Sequence, residues 1–524
     1  MTIEAPTRRR VLATAAVATA ATGLSSAIAA PSASAFTLKK RRTRRSTVQP
    51  RDWRTLLLRR AAWGPNPESL ADVNARGSIA GWVDWQLNPA AISDPMGAEI
   101  DALYPEMAWT IAQARAGIDQ FSWDLMILTA QYQIARATWS RRQLNEVMVD
   151  FWHNHLHVAV PSDGLWDNSH DYDRTVIRKN ALGKFSTMLS ASAKHSSMLY
   201  YLNNESSTKY APNENYGREL LELHTVGVDG GYTETMMFDA ARLMTGWTVN
   251  GDTGIAYYDP DIHWTGPLQI LGWSNANSAA DGRPAVESLL LYLARHPKTA
   301  ERIATRLVQR FISDDPSPGL VARLAATYLA NDTDIRPVIR QLFLSREFAA
   351  SYERKVKRPM EDVISTLRIL GHTPLTAGTL DDRRKGIRAL YWQTQDLRQA
   401  PLDWPQPNGY PDTAVAWQSA DGALGRWNNH QSLAAGWWPN KAIINVPTPQ
   451  SLLPTTVPTT AGALVDALAN RLFNGLLRPD HRAAVLTFMG KSATSTLTAN
   501  DQWLKWRLAE LVALLLDSPA HTLR

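Results

Sequence analysis

The chain has 524 residues, 44% of them hydrophobic and 20% charged, with 30 Pro, 29 Gly and no Cys. That balance excludes collagen-like and low-complexity classes, and the lack of cysteine excludes disulfides, thiolate metal sites and a Cys nucleophile. The formal charge of +6 is local: residues 1–35 carry +2 and the stretch Lys39 to Arg51 a further +7, leaving residues 52–524 at −3.

In chain order, residues 1–35 come first and have the form of a twin-arginine export signal. Thr7-Arg8-Arg9-Arg10-Val11-Leu12 is followed by a mild Ala-rich run and then by Ala33-Ser34-Ala35. Cleavage is expected at Ala35, with Ala29 as the alternative. Residues 36–51 form a basic linker. No later stretch reaches 18 uninterrupted apolar residues, so no membrane span is expected in the mature form. The expected location is secreted or cell-envelope, with the twin-arginine machinery as a partner and nucleic acid excluded.

Residues 52–524 read as one large, mainly α body with a few short strands and long loops. Apolar residues at Ala300, Ile303, Ala304, Leu307, Val308, Phe311 and Ile312 keep the helical spacing, with Pro297 just before them. The same period predicts helices in Phe121–Thr138, Gln143–His153, Asn215–His224, Thr235–Gly246, Pro337–Phe348, Glu361–Gly371, Ala463–Leu476 and Trp503–Leu516. Short strands are expected at Trp247–Val249 and Leu268–Leu271. The Pro/Thr-rich stretch 446–461 reads as a loop or sub-domain boundary. Of the 20 Trp, Trp63, Trp82, Trp85, Trp123 and Trp139 are expected in the core. Trp404, Trp417 and Trp427 are expected nearer the surface, where indoles stack on sugars.

Histidine concentrates in Asp150-Phe151-Trp152-His153-Asn154-His155-Leu156-His157. On a helix at about 100° per residue, Glu146, Asp150, His153 and His157 share one face, with His155 opposite. In an extended chain, His153, His155 and His157 share a side instead and suit a His-x-His chelate. The second constellation runs from Pro212 to Thr225. Glu214 and Arg218 stand at i, i+4, the spacing of an ordinary helical ion pair. Tyr216, Glu219 and His224 complete it.

Several long motifs resemble one family, the bacterial domain-of-unknown-function family 1800. They are Arg59-Arg60-Ala61-Ala62-Trp63-Gly64-Pro65, Phe151-Trp152-His153-Asn154-His155, Pro212–Gly231, Ala241-Arg242-Leu243-Met244-Thr245-Gly246-Trp247 and Lys357-Arg358-Pro359. Their order matches, over roughly residues 50–520. The resemblance implies a large, exported, mainly helical protein and brings no established reaction. At one point the chain departs from the pattern: Trp264 follows His263 where the family tends to carry an Asp.

Three functional readings follow. The first is an exported metal-dependent enzyme, oxidoreductase-like, with His153, His155, His224 and His263 as ligands of a divalent metal (Cu, Fe, Mn or Zn). The second is a metal-free hydrolase or lyase acting on envelope or extracellular polysaccharide, with Asp150, Glu214, Tyr216, Arg218 and Glu219 as catalytic groups. The third is a non-enzymatic envelope binding or assembly protein. No Gly-x-Ser-x-Gly elbow or phosphate-cradling loop occurs, so serine-nucleophile and nucleotide chemistry are not expected.

Overall fold

Stripes of apolar residues at the helical period can be buried only by packing helix on helix, and the architecture follows from that. A computed structural model describes residues 47–49 and 51–524. The leader 1–35 and most of the basic linker 36–51 therefore lie outside the described residues. The described chain is mainly α, with three two-stranded antiparallel pairs. In one of them Val48–Gln49 pairs with Leu476–Leu477. Among the described residues no helix is long and apolar enough to cross a membrane.

The predicted helices form, and their ends differ where local capping intervenes. Pro297–Phe311 starts on a His296 cap with Pro at its first turn, and it buries Ala300, Ile303, Ala304, Leu307, Val308 and Phe311. The single helix expected over Pro337–Phe348 is two, Ile335–Phe343 and Arg346–Ala349. Ser345 stops the first and caps the second by accepting from the Phe348 N–H at 3.1 Å. Ala461–Phe473 ends at Asn474 in the left-handed conformation, which turns the chain into strand Leu476–Leu477. The expected helix from Trp503 begins with a 3-10 turn, Gln502–Leu504, before Leu508–Asp517. Strands Trp247–Val249 and Leu268–Ile270 each pair with a neighbour. The stretch 446–461 is a loop carrying one 3-10 turn, Pro449–Leu452.

Two of the Trp expectations are reversed. Trp123 precedes its helix rather than joining its apolar face and is exposed. Trp417 is buried under its own loop, donating its indole N–H to the Pro411 carbonyl at 2.9 Å.

Several helices contribute to more than one core, two of them to the first and the second together. Asp124–Trp139 places Met126 and Ala137 in the first core, Ala130 and Ile134 in the second, and Leu125, Tyr132 and Ala135 in a smaller third. Pro359–Leu370 is buried along every residue, giving Met360 and Ile364 to the first core and Val363, Leu367, Ile369 and Leu370 to the second. A helix with no face to water must satisfy its polar residues internally. Arg368 does so by donating to the carbonyls of Gly64 at 2.9 Å and Thr138 at 2.7 Å.

The interlocking of Pro297–Phe311 with the first core gives a stability prediction. Leu307→Ala, at a fully buried position, lowers unfolding free energy by about 2–5 kcal/mol. Urea titration followed by circular dichroism measures the loss, and a change below about 1 kcal/mol contradicts the packing.

Candidate functional site

The His-rich segment is helical through His155, in the helix Gln143–His155. The extended chelate is thereby excluded: two residues apart on a helix, His153 and His155 face opposite ways. The predicted shared face exists, and its members bind separate partners. Glu146 pairs with Arg136 at 3.2 Å and Arg178 at 2.6 Å. Asp150 pairs with Arg358, and with Arg310 at 3.3 Å. His153 Nε2 faces Asp173 Oδ1 at 2.7 Å. Burial pushes the Asp173 carboxyl up, but Arg178 and His153 outweigh it and hold it well below the usual carboxylate range. On the opposite face, His155 packs among the rings of Phe151, Trp152 and Phe185, and its Nε2–H donates to the His224 carbonyl at 3.0 Å.

That hydrogen bond joins the two constellations. Glu214–Glu219 is α-helical and is followed by a π-helical turn, Leu220–His224. Thr225 closes the turn by donating its hydroxyl to the Leu220 carbonyl at 2.6 Å. Asp173 lies in a second π segment, Tyr172–Arg178. Such turns are rare and often accompany functional sites. Glu214 and Arg218 form the ordinary ion pair, at 3.4 Å and partly exposed. Tyr216 is fully buried beside His224, with ring centres 6.2 Å apart. Burial, with Glu222 beside it, pushes the Glu219 carboxyl up. His224 is buried with no hydrogen-bond partner at either ring nitrogen, and burial and then Arg302 push it down to about 3. His263 stands apart, with Nδ1 at 2.8 Å from the Thr245 carbonyl and Nε2 at 3.0 Å from Asn277 Oδ1. The structure thus joins His155 to His224 but gives His153, His155, His224 and His263 no common point. Asp150, Glu214, Tyr216, Arg218 and Glu219 are likewise divided between a buried network and two helix faces.

Among the described residues, the His/Asp/Glu group whose ligand atoms lie within 4.8 Å of one another is Asp362, His430 and His521. All three are buried. His430 Nε2 faces Asp362 Oδ2 at 2.9 Å, and its Nδ1 faces Asp517 at 2.8 Å. Thr366 lies 3.0 Å from His521 Nε2. The Lys357 ammonium is 3.1 Å from His521 Nδ1 and donates to Ser365 Oγ at 2.8 Å. Burial alone would push His430 down, but Asp362 and Asp517 outweigh it and hold it at about 9. Burial, reinforced by Lys357, pushes His521 down to about 3. Sequence reasoning missed this group because its members lie far apart in the chain and none sits in a dense motif.

Beside the turn after His224 opens a cleft of about 640 Å³. One wall is the polar edge of Pro297–Phe311, the second the turn after His224, and the third the loop 404–413. Arg302, Arg306 and Arg310 stand at i, i+4 and i+8, a ridge that runs from the cleft into a buried ionic network. Arg302 donates to the Leu223 carbonyl at 3.1 Å and Arg306 to the Asn154 carbonyl at 3.2 Å. Among the described residues neither forms an ion pair with a carboxylate. Burial, and then Arg306 beside it, pushes Arg302 down to about 10. Arg310 continues inward to Glu361 and Asp150, and Glu361 also meets Arg358 at 3.4 Å and Arg524 at 3.0 Å.

The His-rich motif holds the facing loop in place. His157 Nε2 lies 2.7 Å from the Trp404 carbonyl, and Asn154 Oδ1 accepts from the Tyr410 N–H at 3.0 Å. Gly409, at φ 67°, passes so close that a Cβ would lie 2.2 Å from the Asn154 carbonyl oxygen. Across the cleft, a Cβ on Gly227, at φ 88°, would lie 2.9 Å from Arg302 Nη1. A smaller cavity behind Tyr410 is lined by Asp150, His153, Asn154 and His157. The motif that read as a metal chelate therefore shapes the cleft from behind.

The family model described as "Protein of unknown function (DUF1800)" matches residues 56–523. No curated protein and no solved structure matches the chain.

The His430 environment fixes a pH dependence. Because its folded value of about 9 lies above the ordinary 6.5, protonated His430 stabilises the fold fully below pH 6.5. That contribution is lost as pH rises through 9. Burial depresses Lys355 and Lys357, which titrate with the opposite sign, so the effect is read by difference. The stability gap between the parent and His430→Gln narrows from pH 6.5 to above 9 in urea titrations. A gap that is constant or widens across that window contradicts the assignment.

Proposed function

The chain belongs to the DUF1800 family, and we propose that it is an exported protein that captures an anionic glycan in the cleft over Arg302 and Arg306. One observation carries this reading: two neighbouring guanidiniums face a cleft and, among the described residues, neither has a carboxylate at ion-pairing distance, while Asp229, Glu301 and Asp412 line the same opening and Glu222 and Asp412 act on Arg302 and Arg306 from further off. Arginine forks match carboxylate, sulfate and phosphate oxygens in pairs. Half-buried Trp404 on the facing loop, backed by the buried Tyr410 ring 5.2 Å away, supplies a flat surface for a sugar ring. Gly227 keeps the turn close to Arg302, and each guanidinium is held by one backbone carbonyl, so the donors are oriented before a ligand arrives. The reading joins the polysaccharide and binding classes expected from the sequence.

The metal-dependent reading rests on Asp362, His430 and His521. The carboxylate of Asp517 on His430 Nδ1 is the kind of outer partner that orients a ligating imidazole. The Lys357 side-chain nitrogen, however, already lies 3.1 and 3.3 Å from the two ring nitrogens of His521, in the space a divalent ion would have to take. We favour charge balance of Asp362 by protonated His430. Mass-spectrometric metal analysis of natively exported protein then gives well under one metal per chain. Stoichiometric metal lost in His430→Ala would favour the enzyme reading instead.

Titration with an oligogalacturonate tests the cleft. Arg302→Gln and Arg306→Gln each weaken binding about tenfold or more, since a charge-assisted hydrogen bond contributes roughly 1.5–3 kcal/mol, and added salt weakens the parent's binding. Binding unchanged in both variants overturns the proposal. Export is tested separately: Arg8→Lys with Arg9→Lys traps precursor inside the cell, and unchanged secretion removes the twin-arginine reading.

A further inference from the structure

Tryptophan outnumbers phenylalanine two to one in this chain, 20 against 10, and several indoles are left in water within one region. Trp437 is 65% exposed and Trp506 74% exposed, and both line a groove of about 570 Å³ between the end of helix Ala420–Ala435 and the start of Leu508–Asp517. Trp427, also exposed, lies on the same stripe of the first helix as Gln431 and Ala435, at i, i+4 and i+8. Large aromatics normally go to the core or to an interface, so two of them facing one groove need a reason.

The backbone beneath them is fixed. Helix Ala420–Ala435 ends on Gly436 in the left-handed conformation, and the Trp437 N–H donates back to the Ser432 carbonyl at 2.9 Å. The Trp438 carbonyl accepts from both Ser432 Oγ and Gln393 Nε2, each at 2.9 Å. On the other side, Trp503 is fully buried and donates its indole N–H to the Met489 carbonyl at 3.2 Å. Three residues on, Trp506 therefore faces out from an anchored segment. Arg507 is fully engaged, with two hydrogen bonds of 2.7 Å to Glu510 and its guanidinium 3.9 Å over the Trp503 ring. It is not available to an anion. Among the described residues the Gln431 side chain has no hydrogen-bond partner, and Gln450 donates its amide N–H to the Lys505 carbonyl at 3.1 Å, with no partner on its amide oxygen.

We propose that this groove is a binding site for a chain of β-1,4-linked pyranoses, with Trp437 and Trp506 as stacking platforms. Such a chain is a ribbon with flat C–H faces and hydroxyl edges. The faces fit rigid indoles, and the edges fit the amide groups of Gln431 and Gln450. An amphipathic helix would need a continuous hydrophobic groove for its apolar face, whereas between the indoles the groove offers amides, a lysine, an ion pair and small residues. None of these residues lines the arginine cleft, so the inference stands independently of the anionic-ligand reading.

The test titrates the full-length protein with cellohexaose and chitohexaose, following tryptophan fluorescence and heat of binding. The proposal expects saturable binding of at least one, with an emission shift. Trp437→Ala and Trp506→Ala each weaken it tenfold or more, and Trp437→Tyr, which keeps a flat ring, restores most of it. Arg306→Gln leaves this binding unchanged, so failure here and failure of the cleft reading remain distinguishable. Absence of binding by the parent, or equal binding by the double alanine variant, overturns the proposal.

Discussion

Glu361 and Asp362 are neighbours on a helix that has no solvent-facing side, and their partners organise the rest of the molecule. An unpaired carboxylate at such depth is prohibitively unfavourable, so each must be met by cations or hydrogen-bonding side chains. Glu361 points to Arg310, Arg358 and Arg524, while Asp362 points to His430 and His521. Burial pushes both carboxyls up, and these partners outweigh it, holding both well below their usual range. Buried ion pairs contribute little net stability against an apolar alternative, but breaking one strands a charge. The arrangement therefore fixes which helices lie beside Pro359–Leu370.

Both candidate sites hang from those partners. Through Arg310, Glu361 fixes the register of Pro297–Phe311, and four and eight residues back along the same ridge stand Arg306 and Arg302. Through Arg358 and Arg310, Asp150 fixes the helix Gln143–His155, whose Asn154, with His157 just beyond, positions the Trp404–Tyr410 loop. Through His430, Asp362 fixes the helix Ala420–Ala435, which carries Gln431 and delivers Trp437 to the distal groove. One buried dipeptide thus sets the geometry of two openings on different faces of their helices.

The helices were legible because the 3.6-residue period survives in sequences such as Ala300 to Ile312, and the family was legible in motifs long enough to be specific. Helix ends were less so, since Ser345 and Asn474 terminate helices through single capping contacts. The helical face shared by Glu146, Asp150 and His153 was legible, but its purpose was not, because Trp404 and Tyr410 reach this segment from some 250 residues away. The same holds for Asp362, His430 and His521, each of which reads locally as ordinary. One signal was present and passed over. Lys298, Arg302, Arg306 and Arg310 recur every four residues, and no acidic residue stands three or four places from Arg302 or Arg306. A helical row of arginines without the usual acidic neighbours marks cations whose partners lie elsewhere in space or arrive as ligand.

The most direct measurement is a crystal structure of the protein with oligogalacturonate bound. The account predicts ordered uronate carboxylates within hydrogen-bonding distance of both Arg302 and Arg306, with a sugar ring against Trp404. A ligand ordered elsewhere on the protein, with both guanidiniums untouched, would contradict it.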